Sequence, residues 1–167
     1  MTGLPVVRAI ALSSAARRVQ DALTSAGVDA QVIEYDTPAR TAAEAAAVLG
    51  CTVGQIAKSL VFRAASGGPV LVIASGACRV DEDKIAALVG EPIGKADAAF
   101  VRAVTGYAIG GIPPLAHAQP LIAIIDRNLL RYDTVYAAGG TPHAMFAVTP
   151  AELVRVAAGT VADTAPS

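Results

Sequence analysis

The first fifty positions show the hydrophobic period of a helix twice and that of a strand once. Residues 13–26 predict an amphipathic helix, because apolar side chains recur on one face from Val19 onward and Gly27 follows. Residues 30–35 predict a strand. Residues 41–44, Thr-Ala-Ala-Glu, have the form of a capping box, so we expect a second, alanine-rich helix that ends at 49–50.

One apolar run surrounds a lysine. Residues 56–62 predict a strand, and a Ser-Gly-Gly-Pro turn leads into a second strand at 70–74, so the two form a hairpin. The period of two places Lys58 on the face of Leu60 and Phe62. Because an ammonium is costly to bury without a partner, Lys58 needs an anion, a cavity or a route to water. The alternative is an aliphatic stem that carries its charge out to solvent.

Helices and strands continue to alternate in the second half of the chain. Helices are expected from Asp81 to Gly90, over 97–104 and from Pro150, strands at 121–125, 135–138 and 144–148, an extended piece at 92–95, and a loose tail at 159–167. The 121–125 run is apolar throughout, which is typical of a strand buried on both faces. The pattern predicts a single domain over residues 1–158, of α/β (α+β) class with a mixed sheet.

Composition narrows the classes of function. Of 167 residues 54% are hydrophobic, yet no stretch reaches the ~18 apolar residues of a membrane helix, and the N-terminus does not resemble a secretory signal. We therefore expect a cytoplasmic protein. A net charge of −1 provides no long-range attraction for a polyanion, so any nucleic acid must be held by local contacts. His117 and His143 lack a metal-binding spacing, and neither a metal nor another cofactor is expected.

A glycine loop that ends in two prolines is a further candidate for chemistry. Gly110 and Gly111 allow the backbone to approach a ligand closely, and Pro113 and Pro114 fix the exit of the loop. Its N–H and C=O groups can then form one wall of a pocket. The alternative is a rigid turn between a helix and a strand. No motif for a nucleophile, a phosphate loop or a dinucleotide-binding turn occurs in the chain.

Two other polar residues have open interpretations. His117, just beyond the glycine loop, is either a base or ligand contact or a structural histidine. Asp126, at the end of an apolar strand, is either the N-cap of a short helix or a catalytic carboxylate.

Several motifs occur together in a consistent order. They are Ile-Ala-Lys-Ser-Leu at 56–60, the acidic helix start at 81–84, Thr105-Gly106-Tyr107, the loop at 110–114 and the strand ending at Asp126. Over residues 15–157 the chain thereby resembles the YbaK/EbsC family, which is related to the editing insertion of bacterial prolyl-tRNA synthetase. The resemblance implies one domain with a mixed, partly barrel-like sheet flanked by helices. It also implies a free-standing deacylase that hydrolyses the ester of a mischarged tRNA in trans, with tRNA(Pro) as the first expectation.

The resemblance also implies roles for residues. Lys58 is expected to hold the 3′-terminal phosphate or orient the ester, and the backbone of the G-x-x-x-P loop, 110–114, is expected to line the aminoacyl pocket. Water would attack with help from the substrate's own ribose hydroxyl or side chain. The expected catalytic residues are Lys58, Gly110 and Gly111, and the expected substrate contacts are Tyr35, Ser59, Thr105, Gly106, Tyr107, Ile112, Pro113, Pro114, His117 and Asp126.

The partners implied by the resemblance are few. They are the aminoacyl-tRNA acceptor end, held without a broad basic patch, and an aminoacyl-tRNA synthetase; no membrane is involved, and the oligomeric state stays open. A binding module of the same fold, which holds tRNA 3′ ends or a small acylated ligand without turnover, is the alternative. Ala116 stands where relatives often carry glycine, which leaves the amino acid accepted by the pocket open.

Overall fold

The computed structural model describes residues 7–167, which form five helices and nine strands. The helices are α1 Ser14–Ser25, α2 Ala42–Leu49, α3 Glu82–Val89, α4 Ala98–Thr105 and α5 Pro150–Ala157. The strands are β1 Ala9–Ile10, β2 Ile33–Tyr35, β3 Ile56–Ala64, β4 Pro69–Ser75, β5 Ile93–Lys95, β6 Ile122–Asp126, β7 Val135–Ala138, β8 Ala144–Val148 and β9 Thr160–Ala162. Short 3₁₀ turns occupy Val53–Gln55 and Arg127–Arg131. None of the described helices has the length and apolar character of a transmembrane span.

Side-chain caps define where the helices begin, as the sequence predicts. Ser13 caps α1, and Asp81 and Asp97 accept hydrogen bonds from the first turns of α3 and α4. Gly90 and Gly106 end those two helices in the left-handed conformation that glycine adopts without strain. The helix predictions at 13–26, 41–50, 81–90 and 97–104 are confirmed within a residue or two at each end.

The strand predicted at 30–35 is shorter than expected. Only Ile33–Tyr35 pairs as β2, because the Gln20 side chain of α1 binds the preceding backbone. Its Oε1 accepts the N–H of Val32 at 2.7 Å, and its Nε2 donates to the carbonyl of Ala30 at 3.0 Å. At residues 30 and 32, hydrogen bonds to the Gln20 side chain thus take the place of backbone hydrogen bonds to another strand. Hydrophobic periodicity alone does not predict such a contact.

The sheet is mixed, which confirms the predicted class. Its strands follow the order β1-β2-β8-β7-β3-β4-β6-β9, and β5 pairs with β3 beside this path. β3 and β4 form the predicted antiparallel hairpin, while β3 pairs with β7, β4 with β6, and β6 with β9 in parallel. β3 therefore lies at the centre, with β4 on one edge and two short strands on the other.

Each face of the sheet packs against its own helices. Val61, Leu71, Ile73 and Ile125 face a cluster that includes residues of α1, α4 and α5. Alternate residues, among them Phe62, Val70, Val72 and Ile124, pack with Ile85 of α3. Ala45 and Ala46 of α2 cover Ile56 in a smaller cluster. β6 is buried on both faces, as its uninterrupted apolar run predicts.

The C-terminal residues correct the expectation of a loose tail. Thr160–Ala162 pairs with β6 as β9, and Thr164 is fully buried. The N–H of Asp81 donates to the carbonyl of Thr164 at 2.8 Å, and Lys84 Nζ lies 2.8 Å from Asp163 Oδ2. The domain therefore continues past residue 158. A three-residue strand has too short a pattern to be recognised from the sequence. Residues 160–162 form a strand because they pair with the edge of β6.

Candidate active site

A cavity of about 300 Å³ opens beside the first half of β3, between α2 and the loop that follows α4. This is the lower end of the size range of small-molecule sites. Most of its wall is apolar, formed by Ala39, Ala42, Ala45, Ile56, Ala57, Leu60, Ile109, Ile112, Ala138 and Met145. Gly110 adds backbone, and the polar side chains are those of Arg40, Thr41, Lys58 and Ser59.

Lys58 brings a positive charge to this wall. It is half-buried, and among residues 7–167 no carboxylate forms an ion pair with it and no hydrogen-bond acceptor contacts its amine. Arg40, the other cation of the cavity, is exposed, and no Asp or Glu is among the described lining residues. A cavity with two cations and no carboxylate favours an anionic or electron-rich group of a ligand.

The glycine loop forms the opposite wall. Gly110 has a φ of +93° and lines the cavity, with Ile109 and Ile112 on either side. Gly111 is buried, and a Cβ added to it would lie 2.6 Å from the Cα of Thr141. The N–H of Gly140 donates to the carbonyl of Gly111 at 3.0 Å. The loop is therefore held from behind by backbone that a side chain at residue 111 would have to displace.

A buried carboxylate supports that backing segment. Glu34 is 5% exposed; its Oε1 accepts the N–H of Ser13 at 2.7 Å, and its Oε2 accepts the hydroxyl of Thr141 at 3.0 Å. Burial by itself raises the pKa of Glu34, but the hydrogen bonds from Ser13 and Thr141, together with the charge of His143, bring the pKa below its ordinary value. Glu34 thus ties the N-terminus of α1 to the residues on which the glycine loop rests.

Ser59 is a second polar residue of the lining whose bonding is incomplete among the described residues. It lines the cavity next to Lys58, and its Oγ is buried without a hydrogen-bond partner among the described residues. Such a hydroxyl carries a desolvation penalty of about 1–3 kcal/mol unless a ligand or water satisfies it. The structure thus brings together four residues of the predicted set, Lys58, Ser59, Gly110 and Ile112, around one cavity.

Four predicted residues before the loop have structural bonds elsewhere. The Thr105 hydroxyl donates to the carbonyl of Val101 at 2.7 Å, and Gly106 ends α4. Tyr107 is buried, and its hydroxyl donates to the carbonyl of Ala116 at 2.9 Å; burial raises its pKa, although the charge of Arg18 opposes this. The backbone of Tyr35 pairs with His143, outside the cavity lining.

The two prolines that end the loop, and the predicted residues after it, also lie outside the lining. Pro113 and Pro114 are buried, and His117 Nε2 lies 2.7 Å from the carbonyl oxygen of Pro113, so that nitrogen carries a hydrogen. Burial lowers the pKa of His117, although this hydrogen bond opposes the effect. Asp126 is fully buried, and it accepts the N–H groups of Ser75 and Asn128, which is the N-cap role.

Sequence reasoning missed two charged residues at this site, Arg40 in the cavity lining and Glu34 behind the glycine loop. Arg40 precedes α2, and the carboxylate of Glu44 accepts its N–H at 2.9 Å. Glu34 lies two residues after Val32, and both side chains are buried. The period of two of a strand therefore weakly predicts that Glu34 is buried. Neither residue has a local motif, because tertiary contacts bring Arg40 to the cavity and Glu34 to the segment behind the glycine loop. No group of three His, Cys, Asp or Glu residues within 7–167 is arranged to hold a metal ion.

Comparison with known proteins gives consistent matches. The chain is similar to the uncharacterized protein YwhH of Bacillus subtilis (strain 168), at 32% identity over 122 residues that cover 73% of this chain and 78% of that protein. A crystal structure of a candidate trans-editing enzyme for prolyl-tRNA synthetase is 47% identical, covers 94% of this chain and 100% of its own, and superposes with a TM-score of 0.89. The hypothetical protein APE2540 is 34% identical, covers 89% of this chain and 99% of its own, and has a TM-score of 0.83.

The family itself follows from the sequence match. The profile of the aminoacyl-tRNA editing domain matches residues 36–156, which include β3, the cavity wall and the glycine loop. The motifs, the mixed sheet and the cavity beside Lys58 agree with that match. The chain therefore belongs to the aminoacyl-tRNA editing domain family, the YbaK-like hydrolases that act on mischarged tRNA.

Proposed function

We propose that this protein is a free-standing deacylase that hydrolyses the ester of a mischarged tRNA in trans, with tRNA(Pro) as its tRNA. The observation that carries the proposal is the ammonium of Lys58, which has no ion-pair partner within residues 7–167 and lies on a small, mostly apolar cavity that the glycine loop also lines. The similarity to a candidate trans-editing enzyme for prolyl-tRNA synthetase supports the choice of tRNA.

Lys58 binds the electron-rich part of the substrate in this proposal. A 3′-terminal adenosine bears a phosphate on one side and the aminoacyl ester on the other, so one cation at the cavity can hold the phosphate or orient the ester oxygen. Arg40, exposed beside the same cavity, provides a second positive charge for the phosphate. The apolar wall then receives the side chain of the amino acid.

Hydrolysis needs no protein nucleophile in this scheme. No His, Cys, Asp or Glu is among the described residues that line the cavity. Water attacks the ester with help from the vicinal hydroxyl of the terminal ribose, as the family resemblance implies. The backbone near Gly110 holds the acyl group, and rigid backing at Gly111 fixes its position without reorganisation during the reaction.

Recognition of tRNA is expected to be local. The net charge of −1 gives no broad electrostatic field, so we expect few phosphate contacts and a dissociation constant that depends only weakly on salt concentration. We expect the protein to act in the cytoplasm. A log-log slope near about −10 would instead indicate a wide footprint and contradict this proposal. An aminoacyl-tRNA synthetase that hands over the mischarged tRNA would compensate for weak intrinsic affinity.

The test is a panel of aminoacyl-tRNAs, beginning with tRNA(Pro) charged with amino acids other than proline. We expect the wild-type protein to deacylate at least one mischarged tRNA(Pro) well above the spontaneous rate, and to leave Pro-tRNA(Pro) intact. The same amino acids on a non-cognate tRNA show whether the tRNA body is read. Failure to cleave any ester at high protein concentration rejects the hydrolase.

The absence of His, Cys, Asp and Glu from the described cavity lining favours one alternative, a binding module that holds the acylated 3′ end without turnover. Its signature is that labelled aminoacyl-tRNA binds the protein, and that its ester is lost only at the spontaneous rate through many cycles of binding and release. Turnover and retention measured on the same samples separate the two functions.

A further inference from the structure

The open edge of β3 gives the cavity a set of backbone hydrogen-bonding groups. One edge of β3 pairs with β4 from Ala57 to Arg63. The other edge pairs with β7 only at Ile56 and Ala57, and with β5 only from Phe62 onward. Residues 58–61 therefore have no strand partner on that edge, and the cavity lies where β3 and β7 separate.

The direction of the free groups follows from the antiparallel ladder. The carbonyl of Ile56 accepts the N–H of Gly76 at 2.7 Å, and the N–H of Ala64 donates to Gly68 at 2.9 Å, so even-numbered residues of β3 bond toward β4. Because bonding direction alternates along a strand, the N–H and C=O groups of Ser59 and Val61 point toward the open edge. Within residues 7–167, no backbone or side-chain group forms a hydrogen bond with the N–H or C=O of Ser59.

β7 forms the other side of this opening. The N–H of Gly139 donates to the carbonyl of Ala144 at 2.7 Å, so odd-numbered residues here bond toward β8, and Ala138 points toward β3. The parallel ladder ends at the Ala57 and Ala137 pair, so its next bond, from Ser59 N–H to Ala138 C=O, is not formed. Both residues line the cavity. We call this opening, between Ser59 and Ala138, the β3/β7 gap.

The Ser59 hydroxyl adds a side-chain group to the β3/β7 gap. Its Oγ is buried and has no partner in the described part of the chain. The same holds for the Oγ1 of Thr164, but of these two residues only Ser59 lines the cavity. The surrounding wall is apolar, and such a wall holds a polar ligand atom only where protein groups replace its bonds to water. The gap therefore offers three acceptors: the carbonyls of Ser59 and Ala138 and the Ser59 hydroxyl.

We infer that the β3/β7 gap is the subsite for the α-amino group of the substrate, an inference that rests on the proposed function. An amino group is the part of an aminoacyl ester that is rich in N–H donors, whereas the ester itself only accepts. The described lining contains no carboxylate to pair with an ammonium and two cations that repel one. Neutral acceptors are thus the groups of this cavity that suit the amine, and the Ser59 hydroxyl is the one that a substitution can remove.

The experiment compares two stable acylated tRNAs that differ in the amino group alone. Both carry a 3′-amino-3′-deoxyadenosine terminus, acylated through an amide with alanine in one and with propionate in the other. Wild-type protein is expected to bind the alanyl form about tenfold more tightly, and Ser59→Ala to reduce that preference by about fivefold by weakening the alanyl form only. Thr164→Val, which removes the other unpartnered buried hydroxyl, is the matched control and keeps the wild-type preference.

The outcomes separate this inference from the proposed function. Equal binding of the two amides by the wild type, or an equal loss of both in Ser59→Ala, overturns the amino subsite. Absence of binding to either amide also overturns it. If the amino preference is present but no aminoacyl ester is cleaved, the subsite stands and the hydrolase fails. If alanyl and propionyl esters on tRNA are cleaved at equal rates in wild type and Ser59→Ala, the hydrolase stands and the subsite fails.

Discussion

Lys58 and Lys84 are both half-buried, but their amines have opposite surroundings. Lys84 Nζ lies 2.8 Å from Asp163 Oδ2 and also donates to the carbonyl of Ala165, so the C-terminal segment satisfies it. Lys58 has no ion-pair or hydrogen-bond partner among residues 7–167, and it lines the cavity. A lysine whose bonds are complete holds the fold together, whereas one left incomplete on a cavity wall is available to a ligand.

Removal of the Lys58 charge is the strongest test of this contrast. Lys58→Met keeps an aliphatic stem, and we expect kcat/KM for deacylation of mischarged tRNA to fall about 100-fold, the scale of losing one directed charge contact in the transition state. The midpoint of thermal unfolding should not fall, because no protein partner loses a bond. Measurement of both quantities on the same preparation checks the prediction.

Lys84→Met is the matched control, because it removes the same charge from the satisfied site. Its deacylation rate should equal that of the wild type, while its unfolding midpoint falls. Equal loss of deacylation in the two variants, or a lower unfolding midpoint in Lys58→Met than in Lys84→Met, would contradict a functional role for Lys58 and a structural role for Lys84.

The glycine loop opposite Lys58 supplies a second test. Gly111→Ala places a Cβ 2.6 Å from the Cα of Thr141, which is backbone and must shift, so we expect a loss of about 1–3 kcal/mol in the free energy of unfolding. Deacylation should fall as the wall moves relative to Lys58. Chemical denaturation gives the free energy, and single-turnover assays give the rate.

Gly68→Ala is the control for Gly111→Ala, since a Cβ at residue 68 meets nothing within 4 Å. It should alter neither stability nor rate appreciably. A Gly111→Ala variant as stable and as active as Gly68→Ala would show that the loop does not depend on its contact with Thr141.

Local signals predicted most of the fold. The caps at Ser13, Thr41, Asp81 and Asp97 mark their helices in the sequence because each involves residues within a few positions. The β3–β4 hairpin was equally local. β9 was missed because three residues carry no distinctive pattern, and its pairing with β6 joins residues far apart in the chain.

The site was less predictable than the fold. Lys58 stood out because a cation interrupts an apolar strand, but its connection to the loop at 110–114 came from family resemblance and not from any spacing. Arg40, Glu34 and Ala138 reach the cavity or its backing through tertiary contacts. The residues around the loop with conspicuous chemistry, Tyr107 and His117, bond instead to nearby carbonyls. Side-chain type suggested chemistry there, whereas the bonds that complete each group are visible only in the structure.

A third test concerns Glu34, which supports the loop from behind. Its pKa in the folded state lies below the ordinary value of 4.5, so folding favours the carboxylate. This contribution is complete above the unfolded pKa and is lost as pH falls through the lower folded pKa. Glu34→Gln should reduce the free energy of unfolding at pH 7 by about 1–2 kcal/mol, with the difference from wild type shrinking below about pH 4.5. Urea denaturation across this range measures it.

Glu152→Gln controls for the change of carboxylate to amide. Glu152 completes the capping box of α5, a role that glutamine also fills, so its stability should stay near that of the wild type at all these pH values. A pH-independent deficit in Glu34→Gln would mean that shape, and not charge, matters at this position.

The smallest expected effect lies on the Lys84 side. The hydrogen bond from Lys84, with the nearby charges of Lys84 and Arg127, lowers the pKa of Asp163. Asp163→Asn should therefore lower the unfolding midpoint slightly at pH 7 and low salt. The difference should vanish as pH falls through the lowered pKa, and shrink at about 1 M salt, where the screening length is about 3 Å.

Asp133→Asn, at an exposed acid without a described ion pair, should show neither response. Deacylation should be unchanged in both variants, because the bonds of Lys84 end in the C-terminal segment and not at the cavity. If the deacylation rate fell in Asp163→Asn but not in Asp133→Asn, the surroundings of Lys84 would be coupled to Lys58 through the sheet. The assignment of a structural role to Lys84 and a functional role to Lys58 would then be wrong.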